Sequence, residues 1–135
     1  GVVAIFSRRM LDDKDVKIFG DGEQSRDFVY VEDVASSVIA VLDTEAQGHI
    51  NIGSGEQTSV NQIFKQLSAE IGYSKKPIYE PERQGDVRHI YLNARKAEKD
   101  LEWTARINLE EGLKHTVGFQ TPWCSPKSCT SGNRF

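Results

Sequence analysis

The chain has 135 residues, 38% of them hydrophobic and 27% charged, with 17 Lys and Arg against 20 Asp and Glu for a formal net charge of -3. That length suits one packed domain burying roughly 68% of its unfolded surface, and the acidic balance excludes a general nucleic-acid binder, which needs a broad basic face. No apolar run approaches the roughly 18 residues of a membrane span, so neither nucleic acid nor membrane is an expected partner, and a cytoplasmic setting is expected.

The chain opens at Gly1 directly on an apolar run, and so reads as lacking the start of its frame. Apolar residues at Val2, Val3, Phe6 and Met10 predict an amphipathic helix running to about Asp12. Val16 to Phe19 alternates like a short strand and stops at the turn Gly20-Asp21-Gly22, expected to be a flexible loop. Asp27 to Val31 is β-branched and aromatic on both faces, which predicts a strand covered on both sides. Asp33 is placed to cap a helix whose apolar stripe is Val34, Val38, Val41 and Leu42, with Gly48 closing the unit.

A strand is expected at His49 to Ile52, then a helix opened by the capping-box pair Ser59 and Gln62. Further on, Pro77 to Tyr79 reads as a strand and Asn93 as the cap of a helix through Leu101. Asn108 with Glu111 reads as the cap of a last helix through Val117. The alternation of strand and helix predicts an α/β architecture with at least one right-handed parallel crossover and a small sheet. Residues 120–135 lack periodicity and are rich in turn formers, which predicts an irregular tail. Cys124 and Cys129 within it read as free thiols, with no metal site expected.

Two loops carry candidate chemistry. Gly20 to Asp27 sets Arg26 at the mouth of a strand, and Pro81 to Arg88 sets Arg83 beside Gly85 and Asp86. An arginine suits phosphate because its planar fork donates two parallel hydrogen bonds and stays charged; two such loops suit one diphosphate. His49, His89 and His115 have no nucleophile or carboxylate partner at a recognisable spacing, so no catalytic residue is assigned.

Ile18 to Gly22 followed by Arg26 to Val34 resembles a signature of the NAD-dependent nucleotide-sugar epimerases and dehydratases, which are extended short-chain dehydrogenases. Asn51 to Gly55, Arg83 to Val87, Lys96 to Trp103 and Leu109 to Leu113 agree in order and spacing. The likeness spans residues 1–119, taken as one substrate-binding portion, and runs nearest to UDP-glucose 4-epimerase-like members.

The resemblance implies the C-terminal substrate-binding part of that fold, with a few parallel strands and helices but no complete Rossmann domain. It also implies a UDP- or dTDP-linked sugar as partner: Lys17, Ile18 and Phe19 along the base, Arg26 and Arg83 on the diphosphate, and Asp86 near the ribose. Two other readings stay open, Phe19 as a core residue and Asp86 as a residue that only orients Arg83. Tyr30, Asp33 and Asn51 also look family-like, but strand packing, helix capping and a loop hydrogen bond account for them.

Family members hold NAD on a Gly-x-x-Gly-x-x-Gly turn, and no such spacing occurs in these 135 residues. They also use a Tyr followed by a Lys with three residues between them. Here those positions after Tyr30, Tyr73, Tyr79 and Tyr91 hold Val34, Pro77, Arg83 and Arg95. This chain therefore reads as carrying no cofactor of its own, with NAD belonging to an intact parent. Strands cut from a larger sheet would leave bare edges and apolar faces, so homo-oligomerisation is expected.

Overall fold

The computed structural model describes residues 1–121, which form five helices and four very short strands. In chain order these are α1 (Val2–Leu11), β1 (Lys17–Phe19), β2 (Ser25–Arg26), α2 (Val31–Leu42), β3 (Thr58–Ser59), α3 (Val60–Ile71), β4 (Ile78–Glu80), α4 (Arg95–Leu101) and α5 (Leu109–Gln120). No helix among the described residues is long and apolar enough to cross a membrane.

The main core lies where α1, α3 and α5 meet. Each helix contributes an i, i+4 pair to it: Phe6 and Met10, Ile63 and Leu67, Leu113 and Val117, all buried. Val16 and Ile18 close the core from the β1 side at 0% and 1% exposure. Burying a side chain of that size contributes about 1.5–3 kcal/mol, which makes this three-helix seam the main source of stability. Phe64 meets Phe6 and Tyr73 edge-to-face at 6.2 Å each, and the Tyr73 hydroxyl donates to the Lys14 carbonyl at 3.0 Å.

Helix α3 starts as its sequence dictates. Ser59 Oγ accepts from the Gln62 amide at 3.2 Å while Gln62 Oε1 accepts from the Ser59 amide at 2.7 Å, the full capping box. It ends at Gly72 in the left-handed region, φ 75°. At α5 the Asn108 side chain accepts from the Glu111 amide at 3.0 Å. That helix runs past Val117 to Gln120, whose Oε1 accepts from Ser7 Oγ at 2.7 Å. The irregular stretch expected from residue 120 therefore starts no earlier than the end of α5; residues 122–135, with both cysteines, lie outside the described residues.

The strands differ most from expectation. The parallel pair is formed by β1 and β4, with Lys17, Ile18 and Phe19 opposite Ile78, Tyr79 and Glu80, and not by the segments at Asp27 and His49 from which a parallel crossover was expected. β2 and β3 pair antiparallel. Asp27 to Tyr30 lies in no strand, and Val31 already belongs to α2 with Tyr30, itself in the extended region, at its N-cap. His49 to Ile52 likewise lies in no strand. Both segments have strand composition, but a strand exists only where a neighbour supplies its hydrogen bonds, and no described residue does so.

Asp33 does not cap α2. Its carboxylate sits inside the first turn and accepts from the Arg106 and Ile107 amides at 3.1 and 2.9 Å. Asn93 stands one residue further out than expected, accepting from the Arg95 amide at 3.1 Å while Ala94 takes the N-cap of α4. A second, smaller core gathers Ala97, Leu101 and Trp103 against Val29, Ala40, Ile50 and Ile52.

Candidate functional site

Alternation along β1 sorts its three residues. Ile18 points into the core at 1% exposure, so it can meet a ligand only through its backbone. Lys17 and Phe19 lie on the opposite face. The Lys17 ammonium pairs with Glu80 of β4 at 2.8 Å. Phe19 is half-buried and belongs to neither core cluster, which sets aside its reading as a core residue. Its ring is covered instead by the Arg83 guanidinium, with Cζ 3.9 Å from the ring centroid.

The turn after β1 is fixed, not loose. Gly22 sits at φ 76°, and a Cβ there would fall 2.1 Å from Asn61 Oδ1. Asn61 Nδ2 donates to the Asp21 carbonyl at 2.9 Å and to Glu23 Oε1 at 2.6 Å. The Asp21 carboxylate takes a 2.7 Å ion pair from Arg88 and the Glu23 amide at 2.9 Å. The Arg88 hydrogen bond first, and then the Glu23 amide, hold the Asp21 carboxyl below its ordinary pKa, while Asp21 raises that of Arg88.

Arg26 leaves β2 toward the same loop. Its Nη2 donates to Asp86 Oδ1 at 2.6 Å, and its Nη1 to the Ser25 carbonyl at 2.7 Å. Asp86 thus orients Arg26, which corrects the reading in which it orients Arg83. The loop is registered on β2 by a parallel bridge between Ser25 and His89. There the Ser25 amide donates to the Arg88 carbonyl at 2.8 Å and the Ile90 amide to the Ser25 carbonyl at 3.1 Å. Residues 60 positions apart are thereby held as one ion pair, and Arg83 is carried across Phe19.

Spacing missed two contacts that hold this arrangement. His89 does have a hydroxyl partner, because its Nδ1 lies 2.9 Å from the buried Ser25 Oγ, which also donates to Gln57 Oε1 at 3.2 Å. Spent on these two neighbours, that hydroxyl pins the loop. The second contact is Asp27, expected to lie in a strand. Its carboxylate accepts from the Ser54 amide and hydroxyl at 2.9 and 2.6 Å, the Gly55 amide at 3.0 Å and the Leu92 amide at 3.2 Å.

Burial pushes the Asp27 carboxyl pKa up, but the Ser54, Leu92 and Gly55 hydrogen bonds outweigh it, and the carboxyl titrates below its ordinary value. Gly53 is needed beside it, since a Cβ there would stand 2.7 Å from Asp27 Oδ2. The acidic residue directly after Arg26 was the available signal for this clamp.

The cluster therefore offers one arginine already paired, one arginine stacked on an aromatic ring, and a strand edge beside them. Such a set can hold a phosphorylated, ring-bearing ligand. No group of three or more potential metal ligands occurs among the described residues. The 680 Å³ cleft lined by Ser54, Tyr91, Arg95, Glu98 and Trp103 contains none of the six candidate residues.

A solved UDP-glucose 4-epimerase from Thermotoga maritima, in complex with UDP-glucose, is 47% identical and superposes with a TM-score of 0.88 over 91% of this chain and 40% of that one. The Thermus thermophilus UDP-glucose 4-epimerase in complex with NAD is 30% identical, with a TM-score of 0.77 over 87% of this chain and 39% of that one. A curated UDP-glucose 4-epimerase from Mycolicibacterium smegmatis is 36% identical over 120 residues, 88% of this chain and 38% of its own length.

The chain thus spans about two fifths of the length of these relatives, and its fold is that of part of an extended short-chain dehydrogenase. The profile of the family described as GDP-mannose 4,6 dehydratase matches residues 2–116, and the chain belongs to that family of NAD-dependent nucleotide-sugar epimerases and dehydratases.

Proposed function

We propose that this chain is the part of a nucleotide-sugar epimerase that holds the nucleotide diphosphate of a UDP- or dTDP-sugar. In this reading the base lies along β1, edge to the backbone of Lys17 and Ile18 and face to Phe19. Arg26 and Arg83 bind the diphosphate, and Asp86 stands near the ribose. The observation that carries the reading is that one turn, closed by the Asp86 amide on the Arg83 carbonyl at 3.2 Å, reaches Phe19 through Arg83 and Arg26 through Asp86. Residues 1–119 act as one binding portion, and a parent chain of relative length is an NAD-dependent epimerase or dehydratase.

The residues present do not fit NAD. Neither the glycine turn nor the Tyr and Lys pair occurs in the sequence, so no chemical step is assigned to this chain and it is expected to be inactive alone. Its contribution is positional. Binding the diphosphate fixes the reactive sugar relative to whatever carries the chemistry, and fixing two reactants lowers a barrier without any proton being moved here.

An amide NMR titration of the chain with UDP, using NAD as the control ligand, tests this. Shifts clustered at Phe19, Arg26, Arg83 and Asp86 with UDP alone are expected. Truncating an arginine that pairs with a buried phosphate costs about 2–5 kcal/mol, so Arg26→Ala should weaken UDP at least tenfold; an unchanged affinity would remove the assignment. A second reading, a non-enzymatic association module, is favoured by the apolar residues α2 leaves exposed, and retained self-association with no UDP affinity would support it.

A further inference from the structure

The stack of Arg83 on Phe19 sets two uses of the same residues against each other. Arg26 is bound to Asp86 and Arg88 to Asp21, whereas Arg83 has no carboxylate ion pair among the described residues. Its one contact of note is the Phe19 ring, 3.9 Å from Cζ. Arg83 sits in a wholly exposed stretch, residues 81–90, two positions before Gly85 at φ 86°. A guanidinium held by one aromatic contact on an exposed loop is easily displaced. A planar base and a planar guanidinium cannot share one ring face.

We propose that Arg83 is a specificity-determining residue that makes recognition of the nucleoside conditional on its phosphates. In the free chain the guanidinium covers the Phe19 ring. A nucleoside diphosphate uncovers it by drawing the guanidinium onto its own phosphoryl oxygens, exchanging a weak cation–π contact for stronger charge-assisted hydrogen bonds. An unphosphorylated nucleoside must expel the guanidinium into water and receives nothing in return. The site therefore selects nucleoside diphosphates over nucleosides by a cost imposed on the wrong ligand as well as by attraction to the right one. This rests on the reading that Phe19 stacks the base.

The test is a pair of titrations, UDP and uridine, on the full chain and on Arg83→Ala, whose exposed side chain can be removed without touching the core. Arg83→Ala should weaken UDP at least tenfold and tighten uridine by about two- to fivefold, the factor corresponding to release of an exposed cation–π contact. If UDP weakens while uridine affinity stays the same or falls, Arg83 is a phosphate ligand only, and the inference is overturned while the binding reading stands. If the unmodified chain binds neither ligand, both are overturned.

A second measurement is independent of the variant. The Arg83 Nε proton, carried by the guanidinium that covers the ring in the free chain, should resonate upfield, lose that shift in Phe19→Leu, and return toward an unshielded position as UDP is added. An unshielded Nε proton in the free chain would show that the ring is not covered, and would sink the proposal without any binding data.

Discussion

Asp27 shows how much one side chain organises beside the site. Its two oxygens accept four hydrogen bonds, two from Ser54 and one each from the Gly55 and Leu92 amides, so it ties the residue after β2 to two distant loops. Asp27→Asn keeps the shape but turns an amide NH2 toward donors. We expect a loss of about 1.5–2 kcal/mol, within the range for a hydrogen bond to a charged group and toward its lower end because the clamp is half-exposed. The pH dependence has a definite sign. The folded carboxyl titrates below its ordinary value of 3.8, so its contribution is complete above that value and is lost as pH falls through the lower folded pKa. Asp12, Asp21 and Asp100 are shifted the same way, so the diagnostic quantity is a difference. The gap in urea stability between wild type and Asp27→Asn should be constant near neutrality and shrink below about pH 4. A gap that ignores pH would mean that charge plays no part in the clamp.

Among elements, α3 ties the core to the site, because its capping residue Ser59 is also the β3 partner of Ser25 in β2. Removing the cap with Ser59→Ala should cost about 1 kcal/mol, read as a lower urea midpoint at an unchanged slope; no change in midpoint would mean that the turn holds without the box. This helix, α1 and α5 were legible in the sequence because periodicity and caps are local signals. The segments Asp27 to Tyr30 and His49 to Ile52 were not, because whether an apolar stretch becomes a strand is settled by its neighbours, and none is present among the described residues. The same limit applies to the site. Motif likeness singled out Arg26, Arg83 and Asp86, but that Asp86 holds Arg26 while Arg83 covers Phe19 depends on the Ser25 and His89 bridge joining residues 64 positions apart, which no spacing rule reaches. Ile18 was singled out with its neighbours, yet strand alternation puts its side chain in the core.

On the scale of the whole molecule, α2 is packed on one side only among the described residues, through Ala40 against the small core of Ala97, Leu101 and Trp103. The stripe expected from its sequence is there but faces outward: Val34 is 41% exposed, Val38 61%, Val41 43% and Leu42 79%, with Ile39 beside them at 63%, while the buried residues of the helix are Asp33 and Ser37. The helix carries no lysine or arginine to keep that face wet, and Ile50 and Ile52, packed on the same small core as Ala40 of this helix, lie in no strand. An apolar surface of this kind marks an association face, and a segment of strand composition without a ladder invites edge pairing. We therefore expect the chain to self-associate, with a sedimentation coefficient that rises with concentration. The two possible contacts respond to different substitutions. If helix faces meet, Val38→Lys with Ile39→Lys should restore the monomer, since each buried lysine would need a partner charge; if segment edges pair, Asn51→Pro should do so by removing a ladder donor. With the helix pair of substitutions the UDP titration should be unaffected, because Val38 and Ile39 lie on α2 and not on β1, β2 or the loop of Arg83. A monodisperse monomer at high concentration would show instead that α2 stays wetted by itself.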